Sequence, residues 1–316
     1  MAILMLPAKR VKKARTYNGA EVLKRLQSFL DNNTENLVQI LCGFWQDQQY
    51  AISYQELREA VKQGYLDEAV FQQWSQDYAH LVATEISRAW MDAIVAGPSG
   101  QPVLDGSPFV YDTQTPGILS WISEHGAEFV TSVTQDQKDA IAALLVKRMK
   151  DGHTVDELSR LIRPCIGLTE GQTKATANYY DSIVENLKKE HPRMKQESIR
   201  KKAQDAALKY AEKQHRYRAL TIAQTELAFA YNRGADESVR QAQAQGLMGE
   251  LRKRWCSSGD MSVCDMCDAL DGTEIGMDEE FGFKGRVLFR GHKLLPPAHP
   301  RCACAVEYIE VSPPEF

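Results

Sequence analysis

From Ala20 onward, apolar residues recur at helical spacing. They run through Val22, Leu23, Leu26 and Leu30 and then through Leu37, Ile40, Leu41 and Phe44, which predicts a succession of short amphipathic helices. Leu66 to about Val95 reads as one long helix, because Val70, Trp74, Leu81, Ile86, Trp90 and Ile94 form a drifting stripe uninterrupted by Gly or Pro. At 1.5 Å per residue it would be about 45 Å long. A stripe of this kind is a core or helix-packing seam. Gly97-Pro98-Ser99-Gly100 through Pro116-Gly117 is rich in Gly, Pro, Ser and Asp and breaks the pattern, marking a domain boundary or an exposed loop.

Between Gly117 and Gly249 the helix boundaries carry their own signals. Thr134 with Gln137, Thr154 with Glu157, and Thr169 with Gln172 each fit a capping box, in which a hydroxyl and the side chain three residues on satisfy free backbone N–H groups. Gly152, Pro164 and Pro192 supply stops. Lys195 to Gln245 reads either as one very long helix or as two joined near Gln214 to Arg218. After Gly249 the texture changes: Leu251–Cys256 and Ala303–Val311 predict two strands, with Asp271-Gly272 as a tight turn and Gly276 to Gly291 as a loop.

The predicted fold is mainly α, an elongated multi-helix body with a small C-terminal zinc-stabilised β module, α+β overall. Three segments are expected: an N-terminal helical extension with a basic arm over 1–110, a helical body over 111–249, and a β module over 250–316. A module of that size with two or three short strands buries little apolar surface, and a metal would supply what its core lacks.

Composition adds bounds. At 316 residues, 43% hydrophobic, the chain is long enough for two domains with a buried core. The net charge of −4 does not mark the whole chain as a polyanion binder. Local runs differ, however. Residues 9 to 15 form a basic arm without helical periodicity, and residues 188 to 218 carry eleven Lys or Arg against four acidic residues. Within that run, Lys188, Lys189, Arg193, Arg200, Lys201 and Lys202 are candidate nucleic-acid contacts, against the alternative of an ordinary solvated face. No signal-peptide pattern opens the sequence and no apolar run approaches the length of a membrane span, so a cytosolic chain without membrane contact is expected.

Seven cysteines in a reducing compartment favour metal ligation over disulfides. Cys264-Asp-Met-Cys267 and His299-Pro-Arg-Cys302-Ala-Cys304 bring four thiols and an imidazole into two short clusters. Zinc suits this donor set because it accepts thiolate and imidazole in a tetrahedron without redox chemistry. Five candidates compete for four positions. Cys264, Cys267, His299 and Cys302 are preferred, with Cys304 as the alternate to His299, since Cys302 and Cys304 face the same way in an extended strand. Cys256 and His292 are weaker outsiders, and Cys42 and Cys165 read as small buried hydrophobes. A filled four-ligand shell has no open position for water, which favours structure over catalysis.

Motifs for zinc proteases, phosphate-binding loops, dinucleotide folds, nucleophile elbows and zinc deaminases are all missing from the sequence. Outside the cysteines, Thr225-Glu226 is the polar pair to watch, the alternative being a cap or helix-surface contact.

Three stretches resemble the Mu F-like phage head morphogenesis family, also called minor head or minor capsid proteins. They are Thr221-Ile-Ala-Gln-Thr-Glu226 running into Tyr231-Asn-Arg-Gly234; the Trp255 strand leading to Asp260-Met-Ser-Val-Cys-Asp-Met-Cys267; and Asp271-Gly272 followed by Pro296-Pro-Ala-His-Pro-Arg-Cys-Ala-Cys304. The resemblance covers roughly Thr134 to Ile309 and places residues 1 to 110 outside, as a variable helical extension. Gln224 stands where the family usually has Arg. The resemblance implies a virion protein in the head interior near the portal vertex, present in the host cytoplasm during assembly. It further implies partnership with the portal protein and with internal scaffold or major capsid protein, a role in head assembly and in DNA packaging or ejection with contact to phage DNA, and no established catalysis. Two rival readings remain: a zinc-dependent hydrolase or nuclease with Glu226 as base, and a zinc-containing DNA-binding protein.

Overall fold

The computed structural model describes residues 19–150, 154–259, 263–283 and 294–312, with the side chains of 146–150 left aside. The basic arm at 9 to 15, Gly152 and His292 lie outside the described residues. The helices are α1 (Ala20–Ala51), α2 (Tyr54–Gln63), α3 (Glu68–Leu81), α4 (Ser87–Ala96), α5 (Pro116–Lys150), α6 (Val155–Ile162), α7 (Glu170–Glu190), α8 (Gln196–Ala244) and the short α9 (Asp265–Leu270). The strands are β1 (Glu250–Cys256), β2 (Glu274–Gly276) and β3 (Ala305–Ser312). The fold is therefore mainly α with a small β module.

Several elements differ from the sequence pattern. The short helices expected from Ala20 are one 32-residue helix, α1. The polar run Asp31-Asn32-Asn33-Thr34 does not break it: Leu30, Thr34, Leu37 and Val38 keep one face buried across the run, and Asn32 and Asn33 donate back to Ser28 O and Phe29 O one turn earlier. The long helix expected from Leu66 begins at Glu68 and contains a π turn, Val82–Ile86, between α3 and α4. Thr134 and Gln137 sit inside α5 and are buried, so they open no helix; Gln137 instead accepts the Tyr78 hydroxyl. The boxes at Thr154 and Thr169 form as read, and α8 is unbroken from Gln196 to Ala244.

The chain divides into two compact units. One gathers residues up to Thr34, Ala89–Ile118 and Ile222 onward; the other gathers Glu35–Arg88 and Leu119–Thr221. In the second unit, an apolar core of Leu57, Val61, Phe71, Trp74, Ile141, Leu144, Leu158 and Ile162 joins α2, α3, α5 and α6. A buried chain of hydrogen bonds lies in the same unit: Trp45 Nε1 donates to Tyr78 at 2.7 Å, and Tyr78 donates to Gln137 at 2.9 Å.

The first unit holds the sheet, in the order β2-β1-β3 and antiparallel throughout. Alternation along β1 buries Leu251, Lys253 and Trp255 on one face. That face does not close on itself. Ala235, Val239 and Ala242 of α8 share its core with Leu251, Trp255, Phe281 and Val306. The stretch after α4 is only partly the exposed loop expected: Gly97, Gly100, Gln101 and Leu104 are buried. The Gln101 side chain extends the ladder of β3, donating to Val306 O at 2.9 Å and accepting from Tyr308 N at 3.3 Å. A Cβ at Gly234 would lie 2.2 Å from Ile94 O and one at Gly97 would lie 2.4 Å from Ala235 N, so both residues must be glycine for α4 and α8 to approach this closely.

Candidate metal centre

Cys264 caps α9: its backbone is extended and its Sγ accepts the Cys267 N–H at 3.4 Å. The C-x-x-C spacing thus sets one sulfur at the cap and the other in the first turn, both facing the same side. The second cluster begins in a tight turn closed by Cys302 N donating to His299 O at 3.1 Å. Arg301 in this turn adopts φ of 60°, a left-handed conformation held by its surroundings. Its backbone N–H donates to Thr225 Oγ1 at 2.9 Å and its Nε to Gln224 Oε1 at 3.0 Å. Asn232, two turns along α8, donates to Cys304 O at 3.3 Å and accepts the Val306 N–H at 3.2 Å. The side chains of α8 therefore grip the ligand segment on both sides of Cys302.

The result is a cluster centred on Cys267. Ligand atoms of Cys264, Cys267 and His299 lie within 4.8 Å of one another, as do those of Cys267, Cys302 and Cys304. Cys267 Sγ is 3.3 Å from His299 Nε2 and 3.6 Å from Cys302 Sγ. Bond lengths of about 2.3 Å to sulfur and 2.0–2.1 Å to nitrogen give tetrahedral edges of about 3.8 and 3.6 Å, close to these separations, so the donors fit a zinc ion. His299 Nδ1 lies 2.9 Å from Pro300 O, an arrangement that places the proton on Nδ1 and aims the Nε2 lone pair at the cluster. A cavity of about 110 Å³ opens here, lined by all five candidate ligands with Ser258, Val263, Arg301 and Ala303.

The buried thiols polarise one another. Hydrogen bonds from Cys267 and Cys304 pull Cys302 toward the thiolate, while the bond to Cys302 and burial hold Cys267 as a thiol. For Cys304, the bond with Cys267 pulls down but the bond with Cys302 and burial outweigh it, and its pKa is raised. A cation would relieve this crowding, since thiolate is the metal-binding form.

Other candidates fall elsewhere. Cys256 is buried in β1, its Sγ 3.7 Å from its own strand's Arg254 O, and belongs to neither ligand group. Cys165 is buried and Cys42 half-buried. Thr225 and Glu226 are both buried, not at the helix surface. Among the basic candidates, Lys188, Lys189, Arg193, Lys201 and Lys202 are exposed, while Arg200 pairs with Glu157 at 2.8 Å. Sequence patterns missed Gln101, whose buried amide gives no periodic signal. They also missed the polar strip of α8, where Tyr308 donates to Asp236 at 2.7 Å and Arg240 pairs with Asp236 and Asp278.

A long helix whose polar strip holds a cysteine-rich β module defines a class of helical protein with a docked, metal-suited C-terminal module. The sequence model of the phage Mu protein F like protein family matches residues 139–307, over half of the chain, and the chain belongs to that family. No curated protein and no solved structure matches it. The matched span contains both the strip Gln224–Asn232 and the two ligand segments. Among the described residues, no helix is long and apolar enough to cross a membrane.

Proposed function

We propose that this chain is a phage minor head protein, present in the head interior near the portal vertex and acting in head assembly and in DNA packaging or ejection. The observation that carries the reading is that the contacts joining α8 to the ligand segment fall within the family-matched span: Thr225 and Asn232, with Gln224 at the position where the family usually has Arg, on one side, and Arg301, Cys304 and Val306 on the other. Its partners in this reading are the portal protein and internal scaffold or major capsid protein, with phage DNA close by.

Cys264, Cys267, His299 and Cys302 would hold a zinc ion, with Cys304 as the alternate to His299. The ion would neutralise the clustered thiolates and fix the 250–316 module against α8. Four protein ligands complete a tetrahedron, which supports a structural and non-catalytic role over a zinc-dependent hydrolase. Burial of Glu226 also argues against its use as a general base open to substrate. The test is purification of portal-bearing proheads from infected cells: the chain is expected in proheads, and its absence from assembled heads contradicts the reading.

A further inference from the structure

The exposed face of α8 in the second unit carries a pattern that the metal centre does not use. At 3.6 residues per turn, Lys202, Lys209 and Lys213 fall on one stripe, about 16 Å long at 1.5 Å per residue. All three are exposed and form no ion pair among the described residues. The neighbouring arginines differ: Arg216 is bound by Glu35 at 2.9 Å, and Arg218 is buried between Gly167 O and Asp136. Of the eleven basic residues in the run, Arg200, Arg216 and Arg218 are thus held by partners within the unit, whereas the three lysines of this stripe stay exposed.

Aromatic rings flank the same stripe. Tyr210 and Tyr217, one heptad apart, lie on one side of it. Tyr210 stacks on Tyr179 of α7, with centroids 4.7 Å apart and planes inclined by 18°, and Tyr217 is 55% exposed. The α7–α8 pairing is fixed lower down by Gln172 Nε2 donating to Gln214 O. On the opposite flank stand exposed Asp205 and Glu212, which repel phosphate and bias a polyanion toward the tyrosine side.

We propose that this face binds unpaired nucleic acid, with phosphates on Lys202, Lys209 and Lys213 and bases stacked on the tyrosines. Lysines alone would suit any polyanion. Stacking rings beside them select a strand whose bases are open, because duplex bases present only their edges. The surface is independent of the metal centre and of the head role, so absence from proheads does not bear on it.

The experiment uses the full chain and measures fluorescence anisotropy of a labelled single-stranded oligonucleotide and of a duplex of equal length, across a salt series. The single strand is expected to bind more tightly, with affinity falling as salt rises. Replacing both Lys209 and Lys213 by Gln should reduce the slope of log affinity against log salt by roughly 0.7 per lysine. Tyr210→Ser with Tyr217→Ser should weaken single-strand binding by roughly tenfold or more without changing that slope. Lys209, Lys213 and Tyr217 are exposed and Tyr210 is half-buried against Tyr179, and circular dichroism checks that the helices persist. Lack of binding at low salt overturns the proposal, as does equal affinity for duplex and single strand unaffected by the tyrosine changes. DNA and RNA strands run in parallel show which sugar is preferred.

Discussion

Asn232 of α8 accepts the Val306 amide of β3 at 3.2 Å, and its Nδ2 reaches back to Cys304 O at 3.3 Å. One buried side chain thus plays the part of a neighbouring strand, pairing the carbonyl of the last cysteine and the amide two residues on. Asn232→Ala would strand both groups in a dry core. Each buried unsatisfied group costs about 1–3 kcal/mol, so a loss of at least 2 kcal/mol is expected in denaturant unfolding, whereas a surface change such as Lys209→Ala should alter stability little.

The crossing of α4 and α8 has a similarly sharp requirement. Gly234→Ala places a methyl 2.2 Å from Ile94 O, a backbone atom that cannot step aside as a flexible side chain could. Overpacking of this kind costs about 3 kcal/mol or more where the backbone must move. The melting temperature of this variant should fall by several degrees, and an unchanged value would mean that the helices do not approach so closely.

How much of this was visible in the sequence depended on where each signal is generated. The starts of α6 and α7 were legible because Thr154 and Thr169 act locally, through residues three positions on. The identical spacing at Thr134 misled, because a threonine and a glutamine three apart also share one face inside a helix, and here Gln137 serves a distant tyrosine. The continuity of α1 was hidden by its polar Asn32-Asn33 pair, whose side chains bond within the helix. The clustering of the cysteines could be read from spacing. The role of Asn232 and Gln101 could not, since each pairs with backbone some seventy or two hundred residues away.

Lys253 offers a test of pH dependence. Its side chain is fully buried on the core face of β1, its Nζ has no hydrogen-bond partner among the described residues, and it lies 5.5 Å from the Phe281 ring centroid. Burial pushes its pKa down and Arg240 adds to this, while Asp236, Asp278 and Glu279 pull the other way. A lysine depressed in the folded state binds fewer protons there than when unfolded. Its electrostatic penalty is therefore full below the folded pKa and disappears above the unfolded value near 10.4. Lys253→Met should raise stability by about 1 kcal/mol or more at neutral pH, with an advantage that shrinks as pH climbs toward 10.5. A constant or growing advantage in urea titrations across that range would contradict the assignment.

The Thr225 hydroxyl holds the Arg301 amide and so supports the left-handed turn between His299 and Cys302. Thr225→Val keeps the shape and removes the acceptor. Loss of an outer contact that orients ligands weakens metal binding by about 10- to 100-fold, so competition with a chromogenic chelator should extract zinc from this variant far more readily than from the native chain.

The central claim is that a metal ion joins the two cysteine segments and ties the β module to α8. Elemental analysis of the purified chain, with Cys267→Ser, His299→Ala and Cys304→Ser prepared alongside, tests it most directly. The account predicts bound zinc in the native chain, its loss in Cys267→Ser and His299→Ala, and its retention in Cys304→Ser. Zinc absent from the native chain, or undiminished in Cys267→Ser, would contradict it.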